Sequence, residues 1–409
     1  MTILEQLGVR PVINAAGCLT RLGGSLMSDE VLAAMREAAQ HYVAMDALQA
    51  AASRVIADVT GAEAGIVTSG AAAGLLLGAA ACMTGLDPQR MNQLPDTTGM
   101  RSEVIIQKGQ RDGYDHAVRA TGARLVEIGM PYGTRAYELR AALTERTAAV
   151  LYIVARSKGI PLTLDETIQI AHERGVPVIV DAAAELPPAD NLRRFIAAGA
   201  DLVAFSGGKA IMGPQTSGVL CGRRDLITAA ALQMLDMDVD ASTWTPPAGL
   251  AADLAVAGPP EQGIGRALKV GKEEIVGLLV ALRAYARRDH ARDSAAWDAM
   301  LQHVQQGLKD SGLAPERVDP ADSDSGIPLL RLRCAGSAQA RELVRRLHRL
   351  ELPIHLGEAL IHRGVLVVNP MTLTPGQERA LTDAVGRAWR EMAGLPSALR
   401  AGSSKAPGA

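Results

Sequence analysis

At 409 residues the chain is longer than one simple core supports, and two lobes sharing a cleft are expected. Hydrophobic residues make up 48% and aromatics only 3%, so the interior must be built from Ala, Val, Leu and Ile, and wholesale disorder is excluded. The 42 Lys and Arg against 44 Asp and Glu give a formal net charge of −2, which supplies no basic excess for a nucleic-acid partner.

Residues 1–10 mix acids and bases without an apolar stretch, so no signal peptide is expected there. Residues 1–44 read as an N-terminal arm and helix, too small to fold alone. Residues 45–262 read as a large α/β domain. In it, apolar and β-branched runs at 65–68, 104–106, 125–128, 149–154, 178–180, 202–205 and 219–220 alternate with helical stretches. Such runs suit strands covered on both faces, and the alternation predicts a mostly parallel seven-stranded sheet with helices on both faces. Leu75 to Met83 is apolar but too short to span a bilayer. Thr163-Leu164-Asp165-Glu166 has the spacing of a capping box and opens a helix that stops at Gly175-Val176-Pro177.

Residues 263–398 read as a connecting helix from about Lys272 to Asp289, then a small C-terminal α+β domain. Strands are predicted at 328–333 and 365–368, a helix near 338–350, and a final helix entered through Thr374-Pro375. Residues 399–409 read as a disordered tail. The four cysteines, Cys18, Cys82, Cys221 and Cys334, are widely spaced and form no C-x-x-C pair, so free thiols in a cytoplasmic protein are expected, with no metal site.

Three strand ends carry chemistry. Thr68-Ser69-Gly70-Ala71-Ala72-Ala73-Gly74 follows a strand and opens a helix of small residues. Unpaired N–H groups there suit a phosphate, with Ser69 adding a hydroxyl; tight helix–sheet packing is the plainer alternative. Asp181 ends the run Val178-Ile179-Val180, in the ligand crevice of an open α/β sheet. It is either a helix cap or the anionic partner of a protonated pyridine nitrogen. Phe205-Ser206-Gly207-Gly208-Lys209 again follows a strand. Lys209 there is either a solvent-facing loop lysine or one that forms a Schiff base with pyridoxal 5′-phosphate (PLP) and then moves protons at the substrate Cα. A Ser-x-x-Lys acyl-enzyme pair through Ser206 is the rival reading. It is disfavoured because no Ser-Asp-Asn or Lys-Thr-Gly element follows.

Phosphate turn, then Asp, then Lys, is the order of fold-type-I PLP enzymes. The chain resembles the selenocysteine synthase (L-seryl-tRNA(Sec) selenium transferase) family and, more, its branch of D-glucosaminate-6-phosphate ammonia-lyase-like enzymes. Val12-Ile13-Asn14-Ala15-Ala16-Gly17, Thr60-Gly61-Ala62-Glu63-Ala64, Gly208-Lys209 with Gly213-Pro214-Gln215, and Arg266-Ala267-Leu268-Lys269-Val270 carry the resemblance.

The resemblance implies the fold-type-I PLP-dependent transferase fold, Lys209 as the Schiff-base lysine, Asp181 at the ring nitrogen, and Ser69, Gly70 and Ala71 around the phosphate, which Ser206, by its place at the strand end, is also expected to reach. It also implies positive charge at the site from Arg266 and Lys269, and a homo-oligomer with active sites at subunit boundaries. Bottom-up, Arg266 between Gly263, Gly265 and Ala267 is either a mobile anion clamp or an exposed helix-start arginine. Gln110 stands where relatives frequently carry the histidine that stacks on the ring, with Tyr114 and His116 nearby. Arg21-Leu22-Gly23-Gly24 departs from the family's Asn-Leu-Gly-Arg.

The implied activity is α,β-elimination on a hydroxylated amino or sugar acid, giving a 2-oxo acid and ammonia. Racemisation and transamination are the alternatives, and selenium transfer and a non-catalytic fold are the least expected. Arg363, just before the strand at 365–368, is the expected grip on the substrate carboxylate, with Arg21 from a neighbouring chain as a second candidate. His355 and His362 read as ordinary histidines.

Overall fold

Most of the short apolar runs become strands because they fill positions buried on both faces. In chain order the strands are β1 (Ile13–Ala15), β2 (Ala64–Thr68), β3 (Glu103–Gln107), β4 (Arg124–Ile128), β5 (Thr147–Ile153) and β6 (Val178–Asp181). They are followed by β7 (Leu202–Ser206), β8 (Gly218–Gly222), β9 (Pro315–Val318), β10 (Leu329–Arg333), β11 (Ile354–Leu356) and β12 (Val365–Val368). The computed structural model describes residues 2–154, 162–247, 249–251, 255–309, 311, 313, 315–323 and 326–393. The predicted tail at 399–409 lies outside the described residues.

The seven predicted strands form one sheet in the order β2-β8-β7-β6-β5-β3-β4. β8 runs antiparallel to β2 and β7, and the other pairings are parallel. Every residue of β2, β3, β5, β6 and β8 is buried. Edge strand β4 alternates charge with apolar residues and exposes Arg124 and Glu127, as an edge should. The apolar run at 75–83 lies inside the helix Ala71–Thr84, which is buried on nearly every side. Gly74 and Gly78 set that helix against Ala204, Leu220, Leu202 and Ile179 of the sheet. No described helix is long and apolar enough to cross a membrane.

The chain divides into two units. One is Gly23–Arg288; the other joins Met1–Leu22 to Asp289–Ala409. The divisions fall after residues 22 and 288, where the sequence suggested 44 and 262, and backbone pairing accounts for this. β1 pairs in parallel with β11, which ties the start of the chain to its C-terminal part. The helix Lys272–Arg287 packs Gly277 against Met35 of the helix Asp29–Ala39, which keeps both in the larger unit.

The smaller unit holds the antiparallel sheet β12-β10-β9. Its core gathers Ile13, Leu301, Leu330, Leu343, Leu366 and Trp389. The helix His290–Lys309 was not anticipated, and the final helix begins at Gln377 rather than at Pro375. Gly376 takes a φ of 93°, so Thr374-Pro375-Gly376 is a turn that precedes the helix, and Gln377 accepts from the Thr374 N–H. The capping box is present: Thr163 Oγ1 accepts from the Glu166 N–H, and Glu166 accepts from the Thr163 N–H.

Candidate active site

Four of the predicted segments meet at one end of the sheet. β3, β5, β6 and β7 are parallel, so Gln110, Asp181 and Lys209 all follow the carboxyl ends of strands in the larger unit. In open α/β sheets that end is the ligand crevice.

The turn bearing Lys209 is tightly wound. The Gly207 N–H donates to Ser217 O at 2.8 Å, and the Gly213 N–H donates back to Gly207 O at 2.9 Å. A Cβ on residue 208 would sit 2.6 Å from Gln215 Cα, so only glycine lets the turn fold that closely. Met212 takes a φ of 60°, an uncommon conformation for a side-chain-bearing residue, and its N–H donates to Lys209 O at 2.9 Å. Lys209 is half-buried, and its ammonium bonds no partner among the described residues. Ser206, the last residue of β7, is half-buried beside it.

Asp181 is 7% exposed. Its Oδ1 accepts from the Ala183 N–H at 3.0 Å, and no cation is bonded to it among the described residues. Burial pushes its carboxyl above the usual range, the Ala183 hydrogen bond opposes this, Asp112 adds to it, and the Lys209 ammonium lowers it. A buried carboxylate within reach of a lysine's charge, with no bond to its second oxygen among the described residues, fits a protonated ring nitrogen.

The third element is the N-terminus of the helix Ala71–Thr84. Gly70 adopts φ 125° and ψ 164°, open only to glycine, and no side chain caps the helix. The Gly74 N–H returns to Gly70 O at 3.1 Å, so the helix starts at Ala71 with its first N–H groups left for a ligand. Ser69 is half-buried beside the turn. A phosphate fits this cradle.

Gln110 is buried, and its amide is committed to β5. Its Oε1 accepts from the Ile153 N–H at 3.3 Å, and it is hydrogen-bonded to the Tyr152 hydroxyl. Tyr114 and His116 are exposed. Sequence reasoning missed Asp112, whose charge reaches Asp181, and Tyr152, which holds Gln110; a loop aspartate and a strand tyrosine carry no local signal of either role.

The basic candidates stand on other elements. Arg266 is in the 3₁₀ turn Ile264–Leu268, which is fastened to Gln233 and to Leu77. Leu77 is six residues along its helix from Ala71, about 9 Å at the α-helical rise. Lys269 is exposed. Arg21 and Arg363 belong to the smaller unit. Arg21 pairs with Glu358 at 3.1 Å, and Arg363 is exposed at the end of the turn Ile361–Arg363. A cavity of about 480 Å³ in that unit is lined by Ile13, Arg349, Leu352 and Arg387, none of them among these candidates. No described cluster of His, Cys, Asp or Glu could hold a metal ion.

The fold is that of the fold-type-I PLP-dependent enzymes. The L-seryl-tRNA selenium transferase (SelA) family model matches residues 12–238. The chain belongs to that family.

Two curated relatives resemble it over nearly its full length. A 5′-C-glycyluridine monooxygenase-decarboxylase from a Streptomyces species is 34% identical, over 97% of this chain and 94% of the relative. A D-glucosaminate-6-phosphate ammonia lyase from Salmonella typhimurium strain 14028s is 33% identical, over 92% of this chain and 94% of the relative. A solved D-glucosaminate-6-phosphate ammonia-lyase structure superposes with a TM-score of 0.79 at 32% identity, covering 96% of this chain and 99% of that one.

Proposed function

We propose that the protein is a PLP-dependent lyase that removes ammonia from a small hydroxylated amino or sugar acid by α,β-elimination. The observation that carries this reading is Asp181 at the end of β6 and Lys209 just past the end of the adjacent strand β7, with an uncapped helix N-terminus after β2. The similarity to ammonia lyases over more than nine-tenths of the chain supports the reaction class.

When bound, PLP supplies an electron sink for the pair left at the substrate Cα. Lys209 would hold it through its side-chain amine, and that amine would also take the Cα proton. Asp181 would keep a proton on the ring nitrogen, and Ser69, Gly70, Ala71 and Ser206 would hold the phosphate. Gln110 bounds the site from the β3 side. Arg363, with Arg21, orients the substrate carboxylate so that the breaking bond is aligned for reaction. Overall the β-hydroxyl would leave as water with the proton taken from Cα, and water re-entering at Cα would give a 2-oxo acid and ammonia, with no net redox change.

We also propose a homo-oligomer in which Arg266 and Lys269 serve a neighbouring subunit's site, since within one chain their turn is fastened well along the helix from the phosphate cradle. Sedimentation showing a fully active monomer would overturn this.

Borohydride reduction followed by peptide mapping tests the cofactor lysine: label on Lys209 is expected, and label elsewhere refutes the assignment. Incubation with D- and L-hydroxyamino acids in deuterated water separates the reactions. Ammonia with oxo acid means elimination, Cα deuteration with a scrambled centre means racemisation, and dependence on an amino acceptor means transamination. The similarity to a monooxygenase-decarboxylase favours a second reading, oxidative decarboxylation of a glycyl group. Oxygen uptake coupled to release of carbon dioxide would decide for it.

A further inference from the structure

The cavity of about 480 Å³ in the smaller unit combines an apolar floor with a charged rim. Ile13 and Ile354, register partners in the β1–β11 pairing, are both buried and line it. Ala384 and Ala388, one turn apart on the helix Gln377–Ala393, line it from a second element. The rim carries Arg346, Arg349, Arg387, Glu351 and Glu391. Arg346 is already neutralised, since it pairs with Glu342 at 3.0 Å and with Glu391 at 3.4 Å. The side chains of Arg349, Arg387 and Glu351 bond no partner among the described residues. The unpaired charge on the rim is therefore two guanidinium groups against one carboxylate, an excess of one positive charge. Two cations gathered at one cavity without a bonded counter-ion repel each other, and an anion bound between them relieves that repulsion. A cavity of this size, mostly apolar with a few polar groups to fix orientation, suits a small molecule.

We propose that this cavity binds a small carboxylic acid with an apolar body, its carboxylate on Arg349 and Arg387 and its body on Ile13, Ile354, Ala384 and Ala388. The inference does not depend on the lyase reading, because none of these residues belongs to the proposed catalytic or cofactor machinery. The rim calls for one negative charge, which a carboxylate supplies in the planar form that a guanidinium group grips best. The floor calls for hydrocarbon. Acetate satisfies only the first demand and an alkanol only the second. An occupant that touches both Ile13 and Ala384 also ties β1, near the start of the chain, to the helix Gln377–Ala393.

Calorimetric titration of the PLP-loaded protein with hexanoate, acetate and 1-hexanol tests this. A fully buried methylene adds about fourfold in affinity, so hexanoate should bind at least about tenfold more tightly than acetate. It should also bind about fivefold or more above 1-hexanol, the size of an exposed ion pair. Arg387→Gln and Arg349→Gln should each weaken hexanoate by about that factor. Ala384→Phe, which fills the cavity, should abolish binding. Arg363→Ala should leave it unchanged, which separates this cavity from the proposed grip on the substrate carboxylate. Hexanoate binding that survives Ala384→Phe, or that is lost in Arg363→Ala, places the acid at another site and overturns the proposal. Equal affinity for 1-hexanol and hexanoate reduces the cavity to a non-specific apolar surface and overturns it too, as does a wild type that binds no hexanoate. If Ala384→Phe does not fold, the surface double variant Arg349→Gln with Arg387→Gln decides, and undiminished hexanoate binding there refutes the assignment.

Discussion

Asp181→Asn takes one negative charge out of a buried position and leaves the shape almost unchanged. The asparagine Oδ1 can still accept from the Ala183 N–H, so the one hydrogen bond made by the native side chain survives. What is lost is a carboxylate that is 7% exposed and bonded to no cation among the described residues. Two effects of opposite sign follow. Without cofactor, the substitution relieves the cost of holding that charge in the fold, and stability should rise by on the order of 1–3 kcal/mol. With cofactor, a charge-assisted hydrogen bond to the ring nitrogen is lost, and PLP affinity should fall about 10- to 100-fold.

The pH dependence provides an internal control. Burial raises the folded-state pKa of Asp181, so the ionised form is destabilising above that raised value. The penalty shrinks as pH falls through it and is gone below the unfolded value of about 3.9. The stability advantage of Asp181→Asn should therefore be full at neutral pH and should vanish in acid. Thermal unfolding of cofactor-free protein across pH, with absorbance titration of PLP, reads both effects. A cofactor-free variant less stable than wild type at neutral pH would refute the reasoning, because it would make Asp181 a structural anchor.

Arg363→Ala should raise KM about 10- to 100-fold while the cofactor stays bound, the size of a lost charge-assisted carboxylate grip; an unchanged KM moves that role to Arg266 or Arg21. His355 stacks on His348 with ring centroids 4.2 Å apart, and burial, then His348 and Arg21, hold its pKa below 6.5 against the opposing pull of Glu358. The neutral imidazole thus stabilises the fold above about pH 6.5, and this is lost as pH falls through the depressed folded value. Wild type should lose more Tm than His355→Asn between about pH 7 and about pH 5, and parallel curves would count against a role for this ring.

The large sheet was legible because its strands are written as continuous β-branched runs, which only a doubly covered sheet accommodates. β9 was not, since Pro315-Glu316-Arg317-Val318 is half charged and pairs only at an edge. The helix His290–Lys309 was missed because it buries only Leu301, Val304 and Leu308 along its length. The same division runs through the site. Asp181 and Lys209 each follow a strand that names itself, so their shared end of the sheet could be inferred. The approach of Asp112 to Asp181, the tie from Gln110 to Ile153, and the capture of Arg266 by Asp236 all join residues distant in sequence, and no local pattern encodes them.

Two relatives of nearly equal identity carry names for different reactions, and the fold suggests how one scaffold supports both. The proposed cofactor machinery stands at rigid places: strand ends, and the N-terminus of a helix buried in the sheet. The candidate arginines stand on turns instead. Arg21, Arg266 and Arg363 each sit in a 3₁₀ turn, Thr20–Leu22, Ile264–Leu268 and Ile361–Arg363. A turn can shift or exchange a residue without disturbing sheet packing. The bond aligned for cleavage depends on how the substrate's anionic groups are held, and small displacements there change rates steeply. If these arginines hold the substrate as proposed, their turns rather than the sheet would choose among loss of a proton, of a β-substituent or of carbon dioxide.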